Sequence, residues 1–242
     1  MLLATDLDGT FLGGTSAQKE QLYSLIRQHR EICLVFVTGR GLGSVKPLLI
    51  DPAIPNPDFI ICDVGATILN GKTLEPVEPL QSAIEQKWPG SPAIVEALSS
   101  FSELVYQEVP QERRCSFFAK DEKIIPGVAA LVASLHCEVI YSAGKFLDIL
   151  PAGVNKGTSL SKLVTYLDYP PADVLVAGDT LNDLAMFQCG YRSVAVGRSE
   201  DRLLLATADL ENTYHAEAPG AGGILEAINE IKTRKLNFAQ PR

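Results

Sequence analysis

The chain has 242 residues, 46% hydrophobic and 21% charged, which suits one large or two modest packed domains and excludes a disordered or collagen-like chain. Its net charge of −8 opposes nucleic-acid phosphates and anionic membrane surfaces, so neither is an expected partner, and an anionic ligand must be met by a few local cations. Five scattered cysteines (Cys33, Cys62, Cys115, Cys137 and Cys189) make no CxxC pair, and no basic leader or long apolar run precedes Asp6, so a reducing, cytoplasmic setting is expected.

From the N-terminus, the apolar run 2–7 predicts a buried strand, the spacing of Leu22, Leu25 and Ile26 predicts a helix over 16–29, and 31–37 reads as a second strand. A third strand at 59–62 follows the proline-rich stretch 51–57, and 67–74 predicts a hairpin through Asn70-Gly71. Beyond Pro76 the rhythm changes. Helices are expected at 81–88, 94–101 and 128–135, and strands at 104–109, 115–119, 138–141 and 146–150. From Lys156 the βα alternation returns, with helices at 157–167, 181–189, 201–206 and 221–232, strands at 173–177 and 192–196, and a loose polar tail over 237–242. The expected architecture is α/β: a doubly wound, Rossmann-like, mostly parallel core sheet built from 1–77 and 154–242, with an inserted α+β cap over 78–153. His29, His136 and His215 are far apart and read as surface or capping residues.

Four polar clusters fall at predicted strand ends or helix starts, and open parallel sheets bind ligands beyond the carboxyl ends of their strands. In Asp6-Leu7-Asp8-Gly9-Thr10, side-chain alternation puts two carboxylates on one side of the chain, where they repel unless a cation or proton sits between them; a hydrated turn is the plainer alternative. Thr38-Gly39-Arg40 offers a hydroxyl, a bare backbone and a guanidinium, an anion-binding set that a capping threonine would explain as well. Lys156 of Asn155-Lys156-Gly157 opens a helix, an end that disfavours cations, so it needs a carboxylate or phosphoryl partner. Gly178-Asp179-Thr180-Leu181-Asn182-Asp183 carries more acid than capping requires, and with Asp6 and Asp8 makes an oxygen-rich site suited to Mg²⁺.

In this order and combination the clusters resemble the four motifs of the haloacid-dehalogenase-type phosphohydrolases, and the match spans both halves of the core. The insertion resembles the α/β cap of the branch that handles sugar phosphates. A narrower resemblance, to the sucrose-phosphate phosphatases of cyanobacteria and plants, is carried by Asp148-Ile-Leu-Pro151 and by His215-Ala-Glu-Ala-Pro-Gly220-Ala-Gly-Gly-Ile-Leu-Glu-Ala-Ile228. Gly9 and Thr180-Leu181 stand where that family is expected to favour Asn and Ser-Gly.

The resemblance implies an aspartyl-phosphate mechanism with Asp6 as nucleophile and Asp8 as general acid and base, protonated at first because Asp6 lies beside it. It implies Mg²⁺ held by Asp6, the main-chain carbonyl of Asp8 and Asp179, with Asp183 orienting a metal-bound water. Thr38 and Lys156 would bind phosphoryl oxygens with Gly39, and Asn182 would steady the loop or the phosphate. Arg40 at the rim, with Ser116, Phe118, Lys145 and Asp148 in the cap, are the candidates for sugar contacts. The implied activity is a sugar-phosphate phosphatase, foremost on sucrose 6-phosphate, acting as a monomer, with a sucrose-phosphate synthase as the candidate protein partner. Another glycosyl or hexose phosphate is the close alternative. A phosphomutase shares the Asp pair; a non-catalytic phospho-receiver is disfavoured by the second acid and the inserted lobe.

Overall fold

Strand β1 (Leu2–Thr5) runs through the middle of the main sheet, and all four of its residues are buried because helices cover both faces. In this computed structural model, residues 1–108, 112–142 and 144–238 are described, with side chains as far as 231. The first half continues as α1 (Ser16–Gln28), β2 (Cys33–Val37), α2 (Leu42–Leu49), β3 (Phe59–Cys62) and β4 (Thr67–Asn70). Thr15 starts α1 with a capping box to Gln18, and His29 closes it, beside Glu31.

The inserted segment contains α3 (Leu80–Glu85), α4 (Ser91–Ala97), β5 (Leu104–Tyr106), β6 (Cys115–Ala119), α5 (Ile125–Ala133), β7 (Cys137–Ser142) and β8 (Phe146–Pro151). The second half follows with α6 (Lys156–Tyr166), β9 (Val174–Gly178), α7 (Leu184–Phe187), β10 (Arg192–Gly197), α8 (Asp201–Thr207), β11 (Thr213–Pro219) and α9 (Ala221–Phe238).

The main sheet has the order β11-β10-β9-β1-β2-β3-β4, parallel except for β4. The chain winds one way from β1 through β2 and β3, and the other way from β1 through β9 and β10, so β1 is the switch point where such sheets place their ligands. Alternation sorts the strand residues between two cores. Leu3, Leu34, Phe36 and Leu175 pack with Leu22 and Ile26 of α1 and Ile224 and Ala227 of α9. Leu2, Ala4, Val35 and Val37 pack with Leu160, Leu163 and Val164 of α6 and Ile84 of α3. The expected doubly wound, mostly parallel core is observed.

The second sheet is antiparallel, in the order β5-β6-β8-β7. One face buries Cys115, Phe117, Ala119, Leu147 and Ile149 against Ile94 and Leu98 of α4 and Val128 and Val132 of α5. The other face carries Ser116, Phe118, Phe146 and Asp148, which pair across β6 and β8.

Three expectations need correction. The hairpin at 67–74 closes further on: β4 pairs with β3 on one side, Asn70 Oδ1 accepts the amides of Lys72 and Thr73 at 2.9 and 3.1 Å in the turn, and the returning chain meets β4 through Asn70 N to Glu75 O at 2.9 Å, Val77 N to Ile68 O at 3.0 Å and a bridge from Leu69 to Pro76. The helix at 181–189 is a short 3₁₀ turn (Leu181–Asp183) followed by α7, because Asp183 is drawn into a cap. Strand β11 is not predicted by the sequence pattern: it lies at the sheet edge with half-exposed residues, and so lacks an apolar run. Of the strand expected at 104–109, residue 109 lies outside the described residues, as do 239–242 of the expected tail.

Candidate active site

Lys156 is fully buried, and its ammonium is held by three oxygens: Asp6 Oδ1 at 2.7 Å, Asp183 Oδ1 at 2.6 Å and Asn182 Oδ1 at 2.8 Å. Asn155 caps α6 through a reciprocal pair of bonds with Thr158, which sets Lys156 at the first helical position. The compensating partners that a cation at this helix end demands are thus two carboxylates and an amide oxygen. Burial works against the ammonium, but Asp183 and Asp6 outweigh it, so Lys156 is pushed above the ordinary lysine range.

The two carboxylates arrive from the neighbouring strands β1 and β9. Asp6 follows β1, whose register with β9 is continued by Asp6 N donating to Ala177 O at 2.9 Å. Asp183 Oδ2 accepts the amides of Asp179 and Thr180 at 3.0 and 3.1 Å, folding the loop after β9 back on itself. Thr10 Oγ1 donates to Asp179 Oδ1 at 2.7 Å, so the two motifs brace each other. Gly9 suits this close approach. Its φ is +79°, and a Cβ would fall 2.1 Å from Asp179 Oδ2.

Oxygens of Asp6, Asp179 and Asp183 lie within 4.8 Å of one another. Three acids share one ammonium, so burial foremost pushes the Asp6 carboxyl up, Asp183 and Asp179 add to that, and Lys156 opposes it. Asp179 rises to about 6, chiefly through burial. A hard divalent cation fits this donor set: it takes carboxylate oxygens and relieves the repulsion. Such an ion supplies charge neutralisation for phosphoryl oxygens when bound.

Asp8 does not stand beside Asp6 as alternation predicts. Strand geometry ends at Thr5, and residues Leu7–Phe11 form a wide turn closed by Phe11 N to Asp6 O at 3.1 Å and Leu12 N to Leu7 O at 2.9 Å. The Asp8 carboxylate meets Arg40 in a fork, Nε at 2.8 Å and Nη2 at 2.5 Å. Arg40 is therefore an Asp8 partner at the rim. Both Asp8 oxygens are thus engaged by the one guanidinium. Thr38 is buried, and its Oγ1 accepts Arg40 N at 3.1 Å, which leaves the hydroxyl proton for an incoming oxygen.

Above this floor lies a cleft of about 690 Å³ between core and lobe. Asp6, Asp8, Gly39, Arg40 and Asn182 line it from the core, and Ser116 and Asp148 from the lobe. Phe118 and Lys145 do not line it. Phe118 stands two residues further along β6 and packs on Phe146, ring centroids 5.6 Å apart; Lys145 sits in the β7–β8 turn with Nζ 4.8 Å from the Phe146 centroid. Arg114, Ser142, Phe146 and Gln107 line the cleft without having been singled out from sequence. Period two would have found two of them: Arg114 shares a face with Ser116, and Phe146 with Asp148.

A doubly wound core, an inserted antiparallel lobe and a buried Asp–Lys–Asp set at the switch point define the class of haloacid-dehalogenase-like hydrolases. One such hydrolase from Bacteroides thetaiotaomicron shares the fold at TM-score 0.68 and 20% identity, over 95% of this chain and 98% of that one. The chain belongs to the sucrose-6F-phosphate phosphohydrolase family, whose profile matches residues 1–232.

It is 51% identical over 229 residues to a glucosylglycerol-phosphate synthase of Pseudomonas anguilliseptica, covering 94% of this chain but only 30% of that protein. A mannosylfructose-phosphate phosphatase of Agrobacterium fabrum is 29% identical over 94% of this chain and 95% of its own length. The structure of a sucrose-phosphatase from Synechocystis sp. PCC6803, in complex with sucrose and phosphate, superposes with a TM-score of 0.87 at 26% identity, over 96% of this chain and 98% of that one. These findings place the chain in a sugar-phosphate phosphatase family of the haloacid-dehalogenase type. Among the described residues, no helix is long and apolar enough to cross a membrane.

Proposed function

We propose that this chain hydrolyses the phosphate monoester of a glycoside, a sugar joined to a second polyol or sugar unit, with glucosylglycerol phosphate as the first candidate. The observation that carries the chemistry is the buried Lys156 clamped between Asp6 and Asp183 beneath a cleft that the lobe closes with polar side chains. The glycosyl part rests on the relatives, whose names join glucose to glycerol, mannose to fructose, or denote sucrose. The 51% identity to a glucosylglycerol-phosphate synthase favours the glycerol aglycone. Sucrose 6-phosphate is the second reading, favoured by the TM-score of 0.87 to a sucrose-phosphatase.

Asp6 acts as nucleophile, attacking phosphorus and expelling the sugar alkoxide, so that one difficult hydrolysis becomes two easier steps. Thr38 takes a phosphoryl oxygen, and Lys156, whose three N–H donors are spent on Asp6, Asp183 and Asn182, holds the Asp6 carboxylate in line. Asp8, once freed from Arg40, gives its proton to the leaving oxygen and then accepts one from the attacking water. Asp6, Asp179 and the main-chain carbonyl of Asp8 are the proposed Mg²⁺ ligands, with Asp183 as the brace of the loop. A glycosyl synthase that makes the phosphorylated substrate is the proposed partner reaction.

The test is phosphate release from glucosylglycerol phosphate, sucrose 6-phosphate, mannosylfructose phosphate and glucose 6-phosphate. We expect kcat/KM for a two-unit substrate to exceed that for glucose 6-phosphate by roughly two orders of magnitude or more, because polar groups built for a second unit are left unpaired by the smaller ligand. Equal values across the panel sink the glycoside reading, and a preference for sucrose 6-phosphate over glucosylglycerol phosphate sinks the glycerol assignment.

A further inference from the structure

The turn between β3 and β4 is strained. Asp63 and Val64 have φ of +53° and +58°, and a β-branched residue in the left-handed region is a rare conformation that persists only where its surroundings fix it. Three anchors come from the core. Asp63 N donates to Arg40 O at 2.9 Å, Val64 N donates to Thr38 O at 3.1 Å, and Ser159 Oγ of α6 donates to Gly65 O at 2.7 Å. The turn therefore braces both the Thr38 turn and the start of the helix that carries Lys156.

A fourth anchor comes from the lobe. Arg114, just ahead of β6 and buried, donates from Nη1 to Gly39 O at 2.6 Å and lies 3.4 Å from Asp63 Oδ1 through Nη2. On the lobe side the same Nη1 is 3.6 Å from Asp148 Oδ1, which accepts Ser116 Oγ at 2.5 Å. One guanidinium thus spans two buried acids, one on each side of the cleft. Burial foremost raises the carboxyl pKa of both, against the pull of Arg114. The clasp is not saturated: Arg114 Nε and Asp63 Oδ1 are buried without a hydrogen bond among the described residues. A cation with five donors and one short bond gains contacts if the lobe tightens by a fraction of an ångström.

We propose that Arg114 is a positioning residue that latches the lobe onto the 63–65 turn, so that a ligand held by Ser116 and Asp148 is delivered in register with Asp6, Thr38 and Lys156. This rests on the phosphatase reading given above. Lys cannot replace Arg here, because a point charge does not span Gly39 O, Asp63 and Asp148 at once.

The experiment compares wild type, Arg114→Ala, Arg114→Lys and Asp63→Asn on the preferred glycosyl phosphate and on p-nitrophenyl phosphate, which needs the core but offers no sugar to the lobe. Misplacing the lobe by about 1 Å is expected to lower kcat/KM for the glycosyl phosphate roughly 100-fold in Arg114→Ala. The loss should be intermediate in Arg114→Lys and less than a tenth as large on the aryl phosphate. Asp63→Asn should show the same selectivity and add little to Arg114→Ala, since both break one contact. Equal losses on both substrates, or full additivity, overturn the latch. An activity-free arm follows amide exchange at Asp63, Val64 and Ala66: protection should fall at least about tenfold in Arg114→Ala or Arg114→Lys. Unchanged protection overturns the proposal, whereas a wild type inactive on both phosphates overturns only the phosphatase reading and leaves this arm to judge the latch.

Discussion

Replacing Lys156 by Met keeps much of the side-chain volume and removes the ammonium that lies between the two acids, leaving Asp6 Oδ1 and Asp183 Oδ1 facing each other without compensation. Breaking a buried pair by deleting one partner costs about 3–5 kcal/mol, because the remaining charge stays desolvated. For a chain of this size about 1 kcal/mol corresponds to about 2–4 °C, so Tm in chelator should fall by roughly 6–20 °C. The source of the loss predicts two further results. Mg²⁺ should raise Tm more in the variant than in wild type, because the ion becomes the only positive charge among three carboxylates. Adding Asp183→Asn should recover part of the loss, since the amide oxygen can still accept the Asp179 and Thr180 amides while one excess charge disappears. Thermal unfolding with chelator and with Mg²⁺ reads all three. A loss below about 1 kcal/mol, an identical Mg²⁺ shift in both proteins, or a double variant weaker than the single one would refute the electrostatic account.

Asp6→Asn should lower phosphatase turnover by roughly 10⁴-fold or more while leaving Tm in chelator unchanged or higher, since it removes the nucleophile together with an excess buried charge; near-native turnover would rule out the covalent route. Asp179, raised from 3.8 to about 6, is protonated more readily in the folded than in the unfolded chain, so its contribution to metal-free stability is present below about pH 4 and lost as pH rises through 6. Mg²⁺ selects the ionised form, so its stabilising shift in Tm should grow from pH 5 to pH 7, and a shrinking one would contradict the assignment. Asp148→Ala should lower kcat/KM for the glycosyl phosphate by at least about tenfold and Phe118→Ala by less than about threefold, because only the former lines the cleft; the reverse order would misplace the sugar subsite.

The core was legible because its elements announce themselves locally. Leu2 to Ala4, Val174 to Ala177 and Ile60 to Cys62 are buried on both faces, so they read as unbroken apolar runs ending in polar clusters. The brought-together set of Asp6, Asp179, Asp183 and Lys156 followed from topology, since each sits at a strand end or helix start on one rim. What failed was finer geometry. Alternation could not place Asp8, because the strand stops at Thr5 and the wide turn that follows hands its carboxylate to Arg40. Phe118 and Lys145, expected with Ser116 and Asp148 to contact the sugar from the cap, lie against Phe146 and outside the cleft lining. Arg114 was invisible because its meaning lies in Gly39 and Asp63, partners that are distant in sequence.

The stretch His215–Ile228, which carried the resemblance to sucrose-phosphate phosphatases, has a different physical explanation from the one its motif suggests. None of its residues is among those lining the cleft. It is the crossing where β11 passes into α9. Gly220 has φ of +58°, and a Cβ there would lie 2.1 Å from the carbonyl carbon of Gly13; Ala221 N donates to Gly13 O at 3.1 Å. Gly222 and Gly223 let the same helix start close on Gln18 and on Ala218 with Val196. The motif therefore fixes α9 against the loop that follows the Asp6–Thr10 turn, a structural task independent of the ligand. On the function proposed above, sugar choice falls instead to Ser116, Ser142, Phe146 and Asp148, which line the cleft from the lobe.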